Sequence, residues 1–151
     1  MKIIESLSDL AALVGQEVAV SPWIEVTQQQ VNQFAEATGD HQWIHVDVDK
    51  ARAGPFGTTI AHGFLTLSML PRFFESAFEL RGSRMGINYG LNKVRFTSPV
   101  PVGSRLRGRM TLLSSNPIEG NGVQMVWSTV VEREGADKPV CIAESVVRRY
   151  A

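Results

Sequence analysis

The stretch IAHGFLTLSMLPRFFESAFEL, residues 60–80, constrains this chain most. Phe64, Leu65, Leu67, Met69, Leu70, Phe73, Phe74 and Phe78 fall on nearly every side of the helix that their spacing predicts. A helix that is apolar most of the way round has no face to turn to water, so it belongs inside other structure. Pro71 lacks an N–H and its ring collides with the preceding turn, so a kink is expected there. The rest of the chain has to supply a wrapper for this helix.

The wrapper is legible on both sides of it. From residue 87 the apolar period changes to two: Val94 and Phe96 alternate with Arg95 and Thr97, and Leu106, Met110 and Leu112 with Arg105, Arg107, Arg109 and Thr111. Val123, Met125, Trp127 and Val131 share one face in the same way. Such alternation belongs to antiparallel strands with one wet side, and NPIEGNG and EGADKP read as the turns between them. Ahead of the helix, EVAVSPWIEV (17–26) has strand-forming residues around Pro22, which suits an edge or bulged strand. TQQQVNQFAEATG follows as an amphipathic helix, with Thr27 as N-cap, Gln30 completing a capping box, and Val31, Phe34 and Ala35 on one face. Gly39 stands at its stop, and a second short helix is expected from Asp47 to Gly54. A strand, then helices, then four strands imply a sheet curled around one buried helix, an α+β class.

With 151 residues, 44% of them hydrophobic, the chain suits one domain over residues 1–151 with a real core. Fifteen basic residues balance fifteen acidic ones, so no overall field favours nucleic acid or an anionic membrane, and small molecules or a second copy are the expected partners. No uninterrupted apolar run approaches a membrane span, and Glu5 and Asp9 interrupt what a secretion signal would need. Cys141 is the single cysteine, read as a small apolar strand residue, and a cytoplasmic location is expected. One cysteine and three histidines give no metal-ligand spacing, and no dinucleotide or phosphate-loop glycine pattern occurs, so no metal and no cofactor are expected.

Chemistry concentrates in ATGDHQWIH, residues 37–45. Asp40 lies just outside the helix that Gly39 ends, and His45 follows after an irregular turn that brings the two side chains together. A carboxylate and an imidazole at that spacing can hold a water for acid–base chemistry; equally, Asp40 can cap a turn while His45 is a satisfied core ring. His41 reads as surface.

The segment GDHQWIH, the helix opening AHGFLTLSML and the later INYGLNKVRF together resemble the MaoC-like dehydratase family, nodulation protein N-like subgroup, over nearly the whole chain. Gly39, Asp40, Ile44 and His45 match the family motif; Trp43 stands where proline is common and Gln42 where asparagine is common. The resemblance implies a hot-dog fold, with the curled antiparallel sheet wrapped around the long central helix. It also implies (R)-specific hydration of trans-2-enoyl thioesters, or the reverse dehydration of 3-hydroxyacyl thioesters. On that reading Asp40 takes a proton from water, and His45 orients the same water and helps pass a proton to carbon. Gly63, in the first turn of the central helix, offers a backbone N–H to the thioester oxyanion, or else permits close helix packing. His62 is either a hydrogen-bonded ring at the helix start or a substrate contact. Trp43, Phe56, Phe64 and Met69 are candidates for an acyl tunnel, with core packing as the alternative. Arg95, with Arg81, Arg84 and Lys93, is a candidate for the phosphates of an acyl-CoA or acyl-carrier substrate, with a solvated face as the alternative. The exposed edges of a curled sheet make a homodimer the expectation. A hot-dog thioesterase and a non-catalytic acyl-thioester-binding module remain the rival readings.

Overall fold

The computed structural model describes residues 1–151. The chain opens with β1 (Lys2–Ile4) and α1 (Leu7–Ala11), then β2 (Glu17–Val20) and β3 (Ile24–Glu25). Three helices follow, α2 (Gln28–Thr38), α3 (Trp43–Val46) and α4 (Val48–Arg52). Next come α5 (Gly63–Ser68), α6 (Leu70–Ala77) and β4 (Phe78–Leu80). The chain ends with β5 (Met85–Arg95), β6 (Arg105–Ile118), β7 (Gly122–Arg133) and β8 (Cys141–Tyr150).

The wrapper is an antiparallel sheet in the order β2-β6-β7-β8-β5, with β3 also pairing β6. The interruption between β2 and β3 falls at Pro22, which has no N–H for a ladder. Ser21 covers the gap: its N–H donates to the Gly108 carbonyl at 2.9 Å and its Oγ accepts from the Gly108 N–H at 2.9 Å. The period-two reading of β6 is visible in its burial, since Leu106, Met110 and Leu112 are fully buried. Its wet face pairs Arg105 with Glu134, Arg107 with Glu132 and Arg109 with Glu17, at 2.9, 2.7 and 3.0 Å. These solvated pairs use up the charge of that face and each add little stability.

The central helix lies in the hollow of the sheet as two pieces. Pro71 falls at the start of α6, and the break precedes it, at Met69. Proline cannot donate to the carbonyl one turn back and crowds it, while it is well tolerated in a first turn, so the axis breaks before the proline rather than at it. Phe73 is fully buried where α6 crosses β6, and a Cβ on Gly108 would stand 3.0 Å from the Phe73 Cβ. Glycine at that strand position lets helix and sheet close up. Phe74 and Phe78 bracket Trp127 at centroid distances of 4.9 and 6.0 Å. One cluster of 23 buried residues runs from Ile4 to Ala143.

Three expectations need correction. The apolar run does not stay helical to residue 80: Phe78–Leu80 is β4, which pairs in parallel with β1 and has its backbone satisfied there. The turn expected over NPIEGNG is shorter, because β6 continues to Ile118 and only Glu119, Gly120 and Asn121 separate it from β7. Gly120 and Asn121 take the positive φ values, 80° and 59°, that the tight hairpin requires. Phe64, counted with the buried helix, is 67% exposed. The edge strand β5 also shows apolar side chains to solvent, at Met85, Ile87, Tyr89 and Leu91. No helix is long and apolar enough to cross a membrane.

Candidate active site

The site is assembled from the end of α2, from α3 and from the start of α5. Thr27 Oγ1 accepts the Gln30 N–H at 3.1 Å and opens α2. Gly39, at φ +82°, closes it in the left-handed conformation, with its N–H donating to the Ala35 carbonyl at 2.8 Å. The chain then reverses into α3, which carries His45 inward until only 6% of it is exposed. His45 Nδ1 lies 2.7 Å from the Ile60 carbonyl. A carbonyl only accepts, so Nδ1 carries the proton and Nε2 of the neutral ring presents a lone pair. Gln28 braces the same turn: its Nε2 donates to the His45 carbonyl at 2.8 Å, and Thr59 Oγ1 donates to its Oε1 at 2.6 Å.

Asp40 is exposed on the loop between Gly39 and α3, where Oδ1 accepts the Gln42 N–H at a long 3.4 Å. A carboxylate oxygen of Asp40 and one ring nitrogen from each of His45 and His62 all lie within 4.8 Å of one another. Two hydrogen bonds of about 2.8 Å to one water oxygen span about 4.6 Å, so the spacing of Asp40 and His45 suits a water held by those two. The same three residues are the ligand types a metal would use. The two imidazoles, however, stack with centroids 3.9 Å apart and planes 24° from parallel. In-plane lone pairs on stacked rings run side by side instead of converging on one ion, so the geometry fits a water better than a metal.

Gly63 is the first residue of α5, and neither its N–H nor that of Phe64 donates to any backbone carbonyl. A Cβ on Gly63 would meet the Phe96 ring at 2.8 to 3.0 Å. Gly63 thus combines a close packing contact with an N–H that has no backbone acceptor. Phe64 meets Phe96 edge-on at 5.8 Å.

The remaining candidates are more scattered. Trp43 packs against Gly54, with Lys50 4.7 Å above its ring. Arg95 ends β5 beside Phe96 and donates only to its neighbour Val94. Arg81 is paired with Glu5 and Glu79, and Arg84 with the Ala151 carbonyl. Met69 is core, 3% exposed. A cavity of about 690 Å³ lies between the central helix and the sheet, lined by Leu67, Leu70, Phe74, Phe78, Leu91 and Trp127 among others. None of Trp43, Phe56, Phe64 and Met69 lines it. Sequence reasoning also missed Gln28, Thr59 and the Ile60 carbonyl, whose separation from His45 along the chain gives no local signal. Cys141 is fully buried, and desolvation pushes its thiol pKa up to about 11, as suits a packed strand residue.

Residues 9–134 match the family described as MaoC like domain. The chain belongs to this family. It is 55% identical over 151 residues, all of both chains, to 3-hydroxyacyl-thioester dehydratase Z of Mycobacterium tuberculosis (strain CDC 1551 / Oshkosh). It is 46% identical to nodulation protein N of Rhizobium meliloti (strain 1021), covering 91% of this chain and 87% of that one. Among solved structures, an unliganded R-hydratase from Pseudomonas aeruginosa superposes with a TM-score of 0.68 at 26% identity, covering 91% of this chain and 81% of that one. The hot-dog arrangement of curled sheet around central helix is thus the MaoC-like fold.

Proposed function

We propose that this MaoC-like protein is a 3-hydroxyacyl-thioester dehydratase that also runs in reverse, as an (R)-specific enoyl-thioester hydratase. The observation that carries the reading is that a carboxylate oxygen of Asp40 and a ring nitrogen of His45 lie within 4.8 Å of each other, while His45 Nδ1 is held on the Ile60 carbonyl. In the hydration direction the water donates one hydrogen bond to the Asp40 carboxylate and one to His45 Nε2, which leaves an oxygen lone pair free for C3 of the enoyl group. As the C3–O bond forms, the C2=C3 electron pair shifts toward C2 and negative charge grows on the thioester oxygen. The Gly63 N–H is the donor we assign to that oxygen. The proton lost by the water passes through the Asp40–His45 pair to C2, so one H and one OH are added and the side chains return to their starting state. Every step uses groups of this chain alone, and no cofactor is needed.

The full-length likeness to a 3-hydroxyacyl-thioester dehydratase supports this reading. The continuous 23-residue cluster supports a single domain over residues 1–151. The apolar β5 edge supports a homodimer, because an unpaired edge strand with solvent-facing Ile87, Tyr89 and Leu91 is suited to a twofold mate. One buried free cysteine is compatible with the reducing cytoplasm, where we place the protein. The deciding experiment follows enoyl absorbance with crotonyl-CoA while free thiol is measured in parallel. Absorbance lost without thiol release is the expected result. Thiol release at the same rate identifies a thioesterase instead, and no reaction leaves an acyl-binding module.

A further inference from the structure

His62 is the N-cap residue of α5, yet its side chain makes no capping hydrogen bond to that helix. It turns the other way. His62 Nε2 lies 2.9 Å from the backbone carbonyl of Asp40, and its ring stacks on His45 at 3.9 Å, with Phe34 tilted against it at 4.8 Å. The carbonyl only accepts, so Nε2 carries the proton and Nδ1 of the neutral ring is bare. That Nδ1 has no hydrogen-bond partner, and His62 is 2% exposed. Leaving a polar atom buried and unpaired is costly, and an aromatic hydrocarbon would fill the same space without that cost. Histidine at this place is therefore explained by its other nitrogen.

The stretch that this nitrogen holds is otherwise weakly fixed. Asp40 is exposed; its own N–H reaches Thr38 Oγ1 at 3.5 Å and its carboxylate reaches Gln42 at 3.4 Å, both long. His45, by contrast, is anchored to Ile60 at 2.7 Å. One side chain thus touches both members of the pair, by a short hydrogen bond on one side and a stacked face on the other. The backbone of the same residue leads directly into Gly63.

We propose that His62 is a positioning residue that sets the separation of Asp40 from His45 and ties that pair to the start of α5. It acts through Asp40 and His45 and touches no reacting atom. The proposal rests on the dehydratase reading, but one of its tests does not use activity.

Two variants separate the functions of the ring. His62→Gln places an amide N–H near the former Nε2 and removes the stacked ring. His62→Phe keeps the ring and removes the donor. The expected result is a fall in kcat of about 10–100-fold for His62→Phe, the scale of an ångström-sized misplacement, with KM for crotonyl-CoA changed much less. His62→Gln should recover most of that loss. With Asp40→Asn already in place, adding His62→Phe should cost little more, because the group being positioned is gone. A rise in KM at unchanged kcat would make His62 a substrate contact and overturn the proposal. So would unchanged kinetics in both variants, or losses that multiply in the double variant. Should the variants not fold, long-range proton–nitrogen NMR on the ¹⁵N-histidine-labelled wild-type protein reads the bond itself. The proposal requires His62 protonated at Nε2 and bare at Nδ1, and the opposite tautomer refutes it even if the wild type shows no hydratase activity.

Discussion

Asp40→Asn is the perturbation that most cleanly separates chemistry from structure at this site. Each hydrogen bond that Asp40 makes survives it. The bond from His62 reaches the backbone carbonyl, and asparagine keeps an Oδ1 for the Gln42 N–H. The side chain is exposed and makes no ion pair, so the stability change should stay within about 0.5 kcal/mol. What disappears is the proton acceptor. A positioned general base is worth about 10²–10⁴ in rate, so kcat for crotonyl-CoA hydration should fall by that factor while the thermal midpoint barely moves. The partner residue behaves differently. His45→Gln offers no donor where Nδ1 stood and leaves the buried Ile60 carbonyl unpaired, which should cost about 1–3 kcal/mol in addition to the rate. At this chain length that is a midpoint shift of about 2–4 °C for each kcal/mol. Because both groups act on one water, the double variant should be only slightly slower than either single. Activity of Asp40→Asn within threefold of wild type would refute the acid–base reading, and multiplicative losses in the double would refute the shared water.

Gly63→Val should lose turnover while the fold survives, because the half-exposed Phe96 ring can swing away from the new side chain; unchanged kinetics would refute the oxyanion placement. Light scattering should find a dimer, and Ile87→Lys with Leu91→Lys on the β5 edge should give a monomer; a wild-type monomer at micromolar concentration would refute the edge reading. Cys141 supplies a pH dependence. The folded thiol keeps its proton up to about 11 and the unfolded one releases it near the ordinary value of 9.0, so the unfolded state binds fewer protons above that value. Stability should therefore fall as pH rises through that window, by about 3 kcal/mol in all, and urea titrations of Cys141→Ala should lack this component.

The sequence made the architecture readable where the cause was local. The apolar belt of residues 60–80 demanded burial, and the alternation in β6 marked its wet face down to the arginines that now meet Glu134, Glu132 and Glu17. Where the cause was distant it was hidden. Nothing in Phe78, Glu79 and Leu80 announces a strand, because the partner is the amino-terminal β1. The site divides in the same way. Asp40 and His45 are close in sequence, and a left-handed glycine between helix and turn is a local sign that the two side chains can meet. The partners that hold them are Ile60 and Gln28 for His45, with Thr59 behind Gln28, and His62 for Asp40; three of these contacts fall on backbone carbonyls, which leave no mark on residue type.

The lining of the cavity follows one stripe of the central helix. The sequence offers Phe64 and Met69 as candidates to line an acyl tunnel, with core packing as the alternative. Met69 adopts φ −81° and ψ −8°, tighter than an α-helix, and the two helical pieces join there. The i→i−4 bonding nevertheless runs through the junction, with the Met69 N–H on the Leu65 carbonyl and the Phe73 N–H on the Met69 carbonyl, both at 3.1 Å. Phe64 is left near Phe96 at the mouth of the site, Met69 turns into the core, and Leu67, Leu70, Phe74 and Phe78 line the cavity against Leu91 and Trp127. Those positions keep the spacing of one helical face, so the junction at Met69 leaves the same side of the helix turned to the cavity.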